Sequence, residues 1–274
     1  MFYLLYSFSS QYYTIIEDLT YICNRLFIEG KVVFIELDKS KSTYIKMKMN
    51  NKITVKNNIS YLILYSSFID SIGLLNGKMG IIIFFYHYAV FTGCKRYHRF
   101  ADELIKELYL EISIQSPVGF ANGLCGIAWG ITYLIINKFV EADNDVLDEI
   151  DGKIMEIAIE RIKDYSLEHG LAGIGYYAMS RYCFQSSNGK CSKEFIKKLL
   201  SALLKSNDNN CMRIYNNYQA GKYENSEQLG TDLLYFLTRV KRTRNIIPST
   251  PLSLNGVAGY SLKQILRRKG NGHI

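Results

Sequence analysis

Four stretches of the chain repeat one short phrase, and only one of them places an imidazole at its centre. They read GLLNGKMG from Gly73, GFANGLCG from Gly119, SLEHGLAG from Ser166 and LSLNGVAG from Leu252. The central residues are Asn76, Asn122, His169 and Asn255, each followed directly by glycine: Gly77, Gly123, Gly170 and Gly256. Histidine both donates and accepts protons near neutral pH, so His169 is the candidate catalytic acid–base. Glu168 beside it is the motif carboxylate.

Asparagine caps helix N-termini well, because its side-chain oxygen accepts from a free backbone N–H. The following glycine permits a tight turn, and a second glycine three residues on leaves room for a neighbouring helix. Helices started this way and running side by side would gather their positive ends at one mouth, a setting that suits anionic groups. The expected mouth is lined by Asn76, Gly77, Asn122, Gly123, Glu168, Gly170, Asn255 and Gly256 around His169. The same residues also serve a purely architectural reading, as caps and spacers that let helices pack.

The six cysteines are scattered without a CxxC pair. Free thiols in a reducing cytoplasm is the simplest reading. Cys94 and His98 lie four apart, a spacing that puts both on one helical face, but no second ligand pair accompanies them. No metal site is expected.

The elements that must position these residues follow from the spacing. The motif centres step by 46, 47 and 86 residues, and the last is close to two steps of 43. A period in the forties indicates repeated helix pairs, with one copy decayed near residue 212 in NDNNCMRIYNNYQ. KMGIIIFFYHYAVF and LCGIAWGITYLII are apolar on every side, as only helices buried all round can be. Amphipathic segments lie between the phrases. HRFADELIKELYLEI aligns Phe100, Leu104, Leu108 and Ile112. NDVLDEIDGKIMEIAIERIKD aligns Leu147, Ile150, Ile154 and Ile157. KEFIKKLLSALLK pairs Phe195/Ile196, Leu199/Leu200 and Leu203/Leu204. Buried helices alternating with amphipathic ones predict a mainly α fold, an (α/α) toroid or incomplete α/α barrel over residues 61–274. Residues 1–60 read as a helix followed by a β-hairpin, with Ile45, Met47 and Met49 alternating against lysines and a turn at Asn50-Asn51.

A composition of 48% hydrophobic and 21% charged residues is that of an ordinary globular chain, and three prolines suit helices. The formal charge of +8 admits an acidic partner or serves solubility. No nucleic-acid motif is evident. The N-terminal stretch lacks a basic region before its apolar residues, so no signal peptide is expected. The longest apolar run is too short for a membrane span.

The glycine phrases, their spacing and the doubled helices resemble the lanthionine synthetase C-like (LanC-like) family over roughly Tyr61 to Ile274, most specifically in NGLCGIAWGITYLI and LEHGLAGIGYY. The short members from Bacteroidetes-type bacteria look particularly similar. The resemblance implies an α/α toroid. For the best-known members it also implies a zinc enzyme that adds a peptide cysteine thiol to a dehydrated serine or threonine, closing a thioether ring. It further implies that His169 occupies the catalytic histidine position. Gly119 stands where a catalytic aspartate is expected, and Leu254 and Asn255 stand where a Cys-His zinc pair is expected. Cys211 falls near the remaining zinc cysteine by spacing, without the glycine that should follow.

Two function classes follow. The first is a non-zinc, non-catalytic component of ribosomal peptide modification of the lanthipeptide or bacteriocin kind, holding a precursor peptide, a modifying enzyme or an exporter. The second is a zinc-independent cyclase using His169. A glycosidase of similar architecture needs two carboxylates about 5 to 9 Å apart, and the motif ends supply Glu168 alone.

Overall fold

A helix with no polar side is stable only where neighbours cover every face. The computed structural model describes residues 55–113, 115–142, 145–184, 192–241 and 251–270. Ten α-helices and no strand occur among them. The first, α1 (Val55–Tyr65), crosses residue 60, and the elements from Tyr65 onward pack as one unit. The expected hairpin lies outside the described residues, apart from Val55, which opens α1 instead of extending a strand.

Three of the phrases lead into α2 (Lys78–Thr92), α4 (Leu124–Ile136) and α6 (Leu171–Phe184), which are buried along most of their length. The fourth leads into α10 (Val257–Gly270). Here the reading of all-round burial is too broad, because Tyr260, Lys263 and Gln264 reach partial exposure while Val257, Ala258, Leu262 and Ile265 are buried. These four pack in the order α10, α2, α4, α6, so the last motif helix neighbours the first. That adjacency joins the two ends of the repeat series, as an (α/α) toroid requires.

The outer layer consists of α3 (Lys95–Glu111) on α2, α5 (Asp148–Met155) on α4 and α7 (Lys193–Ser206) on α6. Leu104 and Leu108 of α3 face inward with Ala101, and Phe195, Ile196, Leu199 and Leu203 do so in α7. The third amphipathic segment is shorter than its pattern. Its helix stops at Met155, and a 3-10 turn at Ile159–Arg161 buries Ile159 where Ile157 was expected. Asp151 of α5 is also buried. Arg181 of α6 donates to it from Nε and Nη2 at 3.0 and 2.8 Å, and Tyr177 donates at 2.6 Å.

The decayed copy is α8 (Asn209–Gln219), packed on α6 and α7. Asp208 caps it, accepting from the N–H groups of Asn210 and Cys211. A carboxylate cap thus replaces the glycine turn. After it, α9 (Glu227–Thr238) packs against α10 and sends Phe236 toward α4 and α6. The Phe236 ring lies 5.3 Å from Phe120, 5.2 Å from Trp129 and 4.9 Å from Tyr176, always edge-on. Edge-to-face contacts of this kind add to simple burial, so Phe236 ties α9 to Trp129 of α4 and Tyr176 of α6.

Candidate functional site

The motif turns form one hydrogen-bonded row. The Asn255 N–H donates to the Leu75 carbonyl at 2.9 Å, Leu75 to Ala121 at 3.0 Å, and Ala121 to Glu168 at 2.9 Å. Leu75, Ala121 and Glu168 hold the same place in their phrases, directly before Asn76, Asn122 and His169. The side chains of Asn255, Asn76, Asn122 and His169 are exposed, while the glycines after them are buried. Asn255 Nδ2 also donates to Asn76 Oδ1 at 3.0 Å. Beneath them the buried Ser253 hydroxyl bridges the carbonyls of Gly77 and Leu74, at 2.6 and 3.1 Å.

The helix starts differ from the expected caps. In α2 and α4 the capping position belongs to Gly77 and Gly123, with no side-chain cap, so Asn76 and Asn122 stand one residue outside. Backbone carbonyls from the preceding loop take the first helical N–H groups instead. Lys78 donates to Ser71, Leu124 to Pro117, Leu171 to Asp164 and Val257 to Pro251, all at 2.8 to 2.9 Å. With these donors already engaged, the helix ends offer anions less than the sequence implied. The glycines permit the crossing. A Cβ on Gly123 would fall 1.8 Å from the Pro117 oxygen, and one on Gly126 would fall 1.9 Å from the Phe120 oxygen. The second glycine makes room both for its own turn's backbone and for the neighbouring motif turn: a Cβ on Gly80 would fall 2.3 Å from Ser253 Oγ, and one on Gly173 2.6 Å from the Phe120 Cβ.

At the third turn, His169 Nδ1 lies 3.2 Å from where a Cβ on Gly119 would stand. The His169 N–H donates to Ser166 Oγ at 3.3 Å, and Asp164 Oδ1 accepts from the Ser166 N–H at 2.8 Å. Those Ser166 contacts hold the Asp164 carboxyl below its ordinary range, with a smaller contribution from His169. Glu168 pairs with Arg239, at the end of α9, at 3.0 Å. The carboxylate next to His169 in sequence is thus committed to a guanidinium, and the His169 ring packs close against Gly119, which has no side chain.

This row of Gly-x-x-Gly helix starts, closed from last to first, is the arrangement the resemblance implied. Residues 69–232 match the profile of the family described as lanthionine synthetase C-like protein. The chain belongs to that family. The matched span holds the first three motif turns and ends before the fourth, which the structure joins to the first. No curated protein and no solved structure matches the chain.

Zinc needs deprotonated thiolates and neutral imidazoles converging on one point. The LanC-like chain presents neither at the expected places. Leu254 is apolar and buried, and Asn255 bonds to Asn76. Cys211 is buried at the start of α8, its thiol directed to the Tyr165 carbonyl at 3.9 Å and pushed up to about 11, mainly by burial. Among the described residues no group of three or more His, Cys, Asp or Glu could hold a metal. Cys94 and His98 share the surface of α3, where His98 Nδ1 pairs with Asp102 at 3.1 Å. These residues do not fit the ion.

One polar cluster had no signal in the sequence. Asp232 of α9 is fully buried, accepts from Gln228 at 3.0 Å and lies 3.7 Å from Arg213 of α8. Burial raises its carboxyl to about 6, against the pull of Gln228 and Arg213. Arg213 also donates to the Tyr176 hydroxyl at 2.9 Å and stacks 3.7 Å over the Tyr235 ring. Spacing shows Asp232 only as a polar break in an apolar face. The cluster draws on three helices, α6, α8 and α9.

Proposed function

We propose that this LanC-like chain holds a ribosomally made precursor peptide, or the enzyme that modifies it, on the motif face and does so without zinc. One observation carries the reading: Asn255, Asn76, Asn122 and His169 are exposed side chains in a row pinned by backbone hydrogen bonds. Primary amides donate and accept at once, which matches the alternating N–H and C=O groups of an extended peptide. The pinned backbone holds the row in place before binding, so less ordering entropy is lost when the peptide docks. The positions where a carboxylate and zinc ligands were implied carry Gly119, Leu254 and Asn255.

The alternative is ring closure without metal. The thiol would lose its proton to His169, its sulfur would bond to the β-carbon of a dehydroalanine as the Cα=Cβ π bond breaks, and His169 would return the proton to the α-carbon. Its exposed ring favours this reading to that extent.

Purified protein, His169→Ala and Cys211→Ala are assayed for zinc and mixed with a labelled peptide bearing one cysteine and one dehydroalanine. The binding reading expects substoichiometric zinc, saturable binding and a thiol that stays open to alkylation. Thiol loss that disappears in His169→Ala establishes the alternative. About one zinc per chain, lost in Cys211→Ala, overturns both.

A further inference from the structure

At the far end of α2 from the motif face, about 22 Å along its 15 residues, the α2–α3 corner carries a second surface. A groove of about 720 Å³ lies there, lined by Ala89, Val90, Gly93, Cys94, Lys95, His98 and Arg99. Gly93 turns the corner at φ 65°, a left-handed conformation, and brings the start of α3 beside the end of α2.

The charges at this corner run against the helix. The first five residues of α3 are Lys95, Arg96, Tyr97, His98 and Arg99, and no acidic residue lies in the first turn. A helix N-terminus carries about half a positive charge, so cations there are unfavourable and an anion relieves them. Among the described residues no carboxylate pairs with Lys95 or Arg99. Asp102, three residues beyond Arg99, is occupied by His98 and by the Tyr86 hydroxyl at 2.8 Å. The other wall is apolar, formed by Ala89 and by Val90, which is 54% exposed.

From this geometry we infer that the α2–α3 groove is a docking site for an acidic peptide segment of a partner, with its carboxylates on Lys95 and Arg99 and an apolar side chain against Val90. Charge complementarity names the partner's sign, and the concave apolar wall favours an inserted side chain over a flat bilayer surface. The inference does not rest on the motif-face reading, which concerns the opposite end of α2.

The probe is a fluorescein-labelled dodecapeptide of alternating Glu and Leu, followed by anisotropy with the full chain. Wild type should bind it in a salt-sensitive manner and bind the Gln/Leu counterpart weakly. Lys95→Glu/Arg99→Glu should weaken binding by about tenfold or more, and Val90→Ser should weaken it less. The α7 control Lys193→Glu/Lys197→Glu should bind as wild type does. If the charge-reversed pair fails to fold, Lys95→Gln/Arg99→Gln replaces it, with the same direction expected. Equal losses in the α7 control overturn the site in favour of general attraction to a basic chain. Absence of peptide binding overturns it, as does phosphatidylserine-vesicle binding that depends on Lys95 and Arg99 in place of peptide binding.

Discussion

Asn255 and Leu75 meet across nearly the whole motif-bearing chain: the Asn255 N–H donates to the Leu75 carbonyl at 2.9 Å, and the Asn255 amide reaches Asn76, 179 residues away. Contacts of this kind turn a series of helix pairs into a ring. The buried hydroxyl of Ser253 makes the neighbouring link, to Leu74 and Gly77. Ser253→Ala should cost about 1–3 kcal/mol, because the carbonyls of Leu74 and Gly77 lose the buried hydroxyl they share. Asn255→Ala, at an exposed site, should cost about 0.5 kcal/mol or less. Urea denaturation of both variants checks the order, and equal losses would place the closure elsewhere.

The motif glycines should tolerate no side chain. Gly123→Ala drives a Cβ into the Pro117 carbonyl, with backbone on both sides, and should destabilise by about 3 kcal/mol or more. Gly152 in α5 has nothing within 4 Å of its Cβ position, so Gly152→Ala should stabilise by about 0.5–1 kcal/mol. Thermal melts of the two variants should therefore shift in opposite directions.

Gly119→Asp should place a carboxylate beside His169, since the Cβ position is 3.2 Å from Nδ1. An opposite charge at such range favours the imidazolium form of the ring in this variant. NMR titration of the His169 ring protons reads this directly. An unchanged midpoint would mean that the ring turns away from residue 119.

The Asp151–Arg181 pair is buried on both sides. Arg181→Met should cost about 3–5 kcal/mol by stranding the carboxylate, and Asp151→Leu/Arg181→Met should recover much of it. Chemical denaturation of the two variants separates a stranded charge from lost packing.

Asp232 sets a pH dependence of opposite sign to most carboxylates. Its pKa is raised from 3.8 to about 6, so between those values the folded chain binds more protons than the unfolded one. Stability from this group is full below about 4 and falls as pH rises to about 6. Asp232→Asn should remove that fall. The difference in unfolding free energy between variant and wild type should grow in the variant's favour from pH 4 to pH 6, and a flat difference would contradict the assignment.

The repeated phrase was legible because its physics is local. Gly123 and Gly126 must be glycine wherever a carbonyl crosses within 2 Å, so the requirement recurs with every turn and shows as a period. The apolar runs of α2 and α4 announced burial on all sides for the same reason, and the ring architecture followed. The capping assignment to Asn76 and Asn122 did not hold. Composition cannot distinguish a side chain that caps from one standing just outside a backbone cap.

The sequence by itself determined the helical repeat, its inner and outer layers and the family, because periodicity and glycine spacing express each helix's own burial and turn sterics. Tertiary structure alone decided what meets what. It set His169 against Gly119, tied Glu168 to Arg239 and drew Arg213, Tyr176 and Asp232 together from three helices. Those relations depend on how helices far apart in the chain pack, and no local pattern of residues encodes a distance between them.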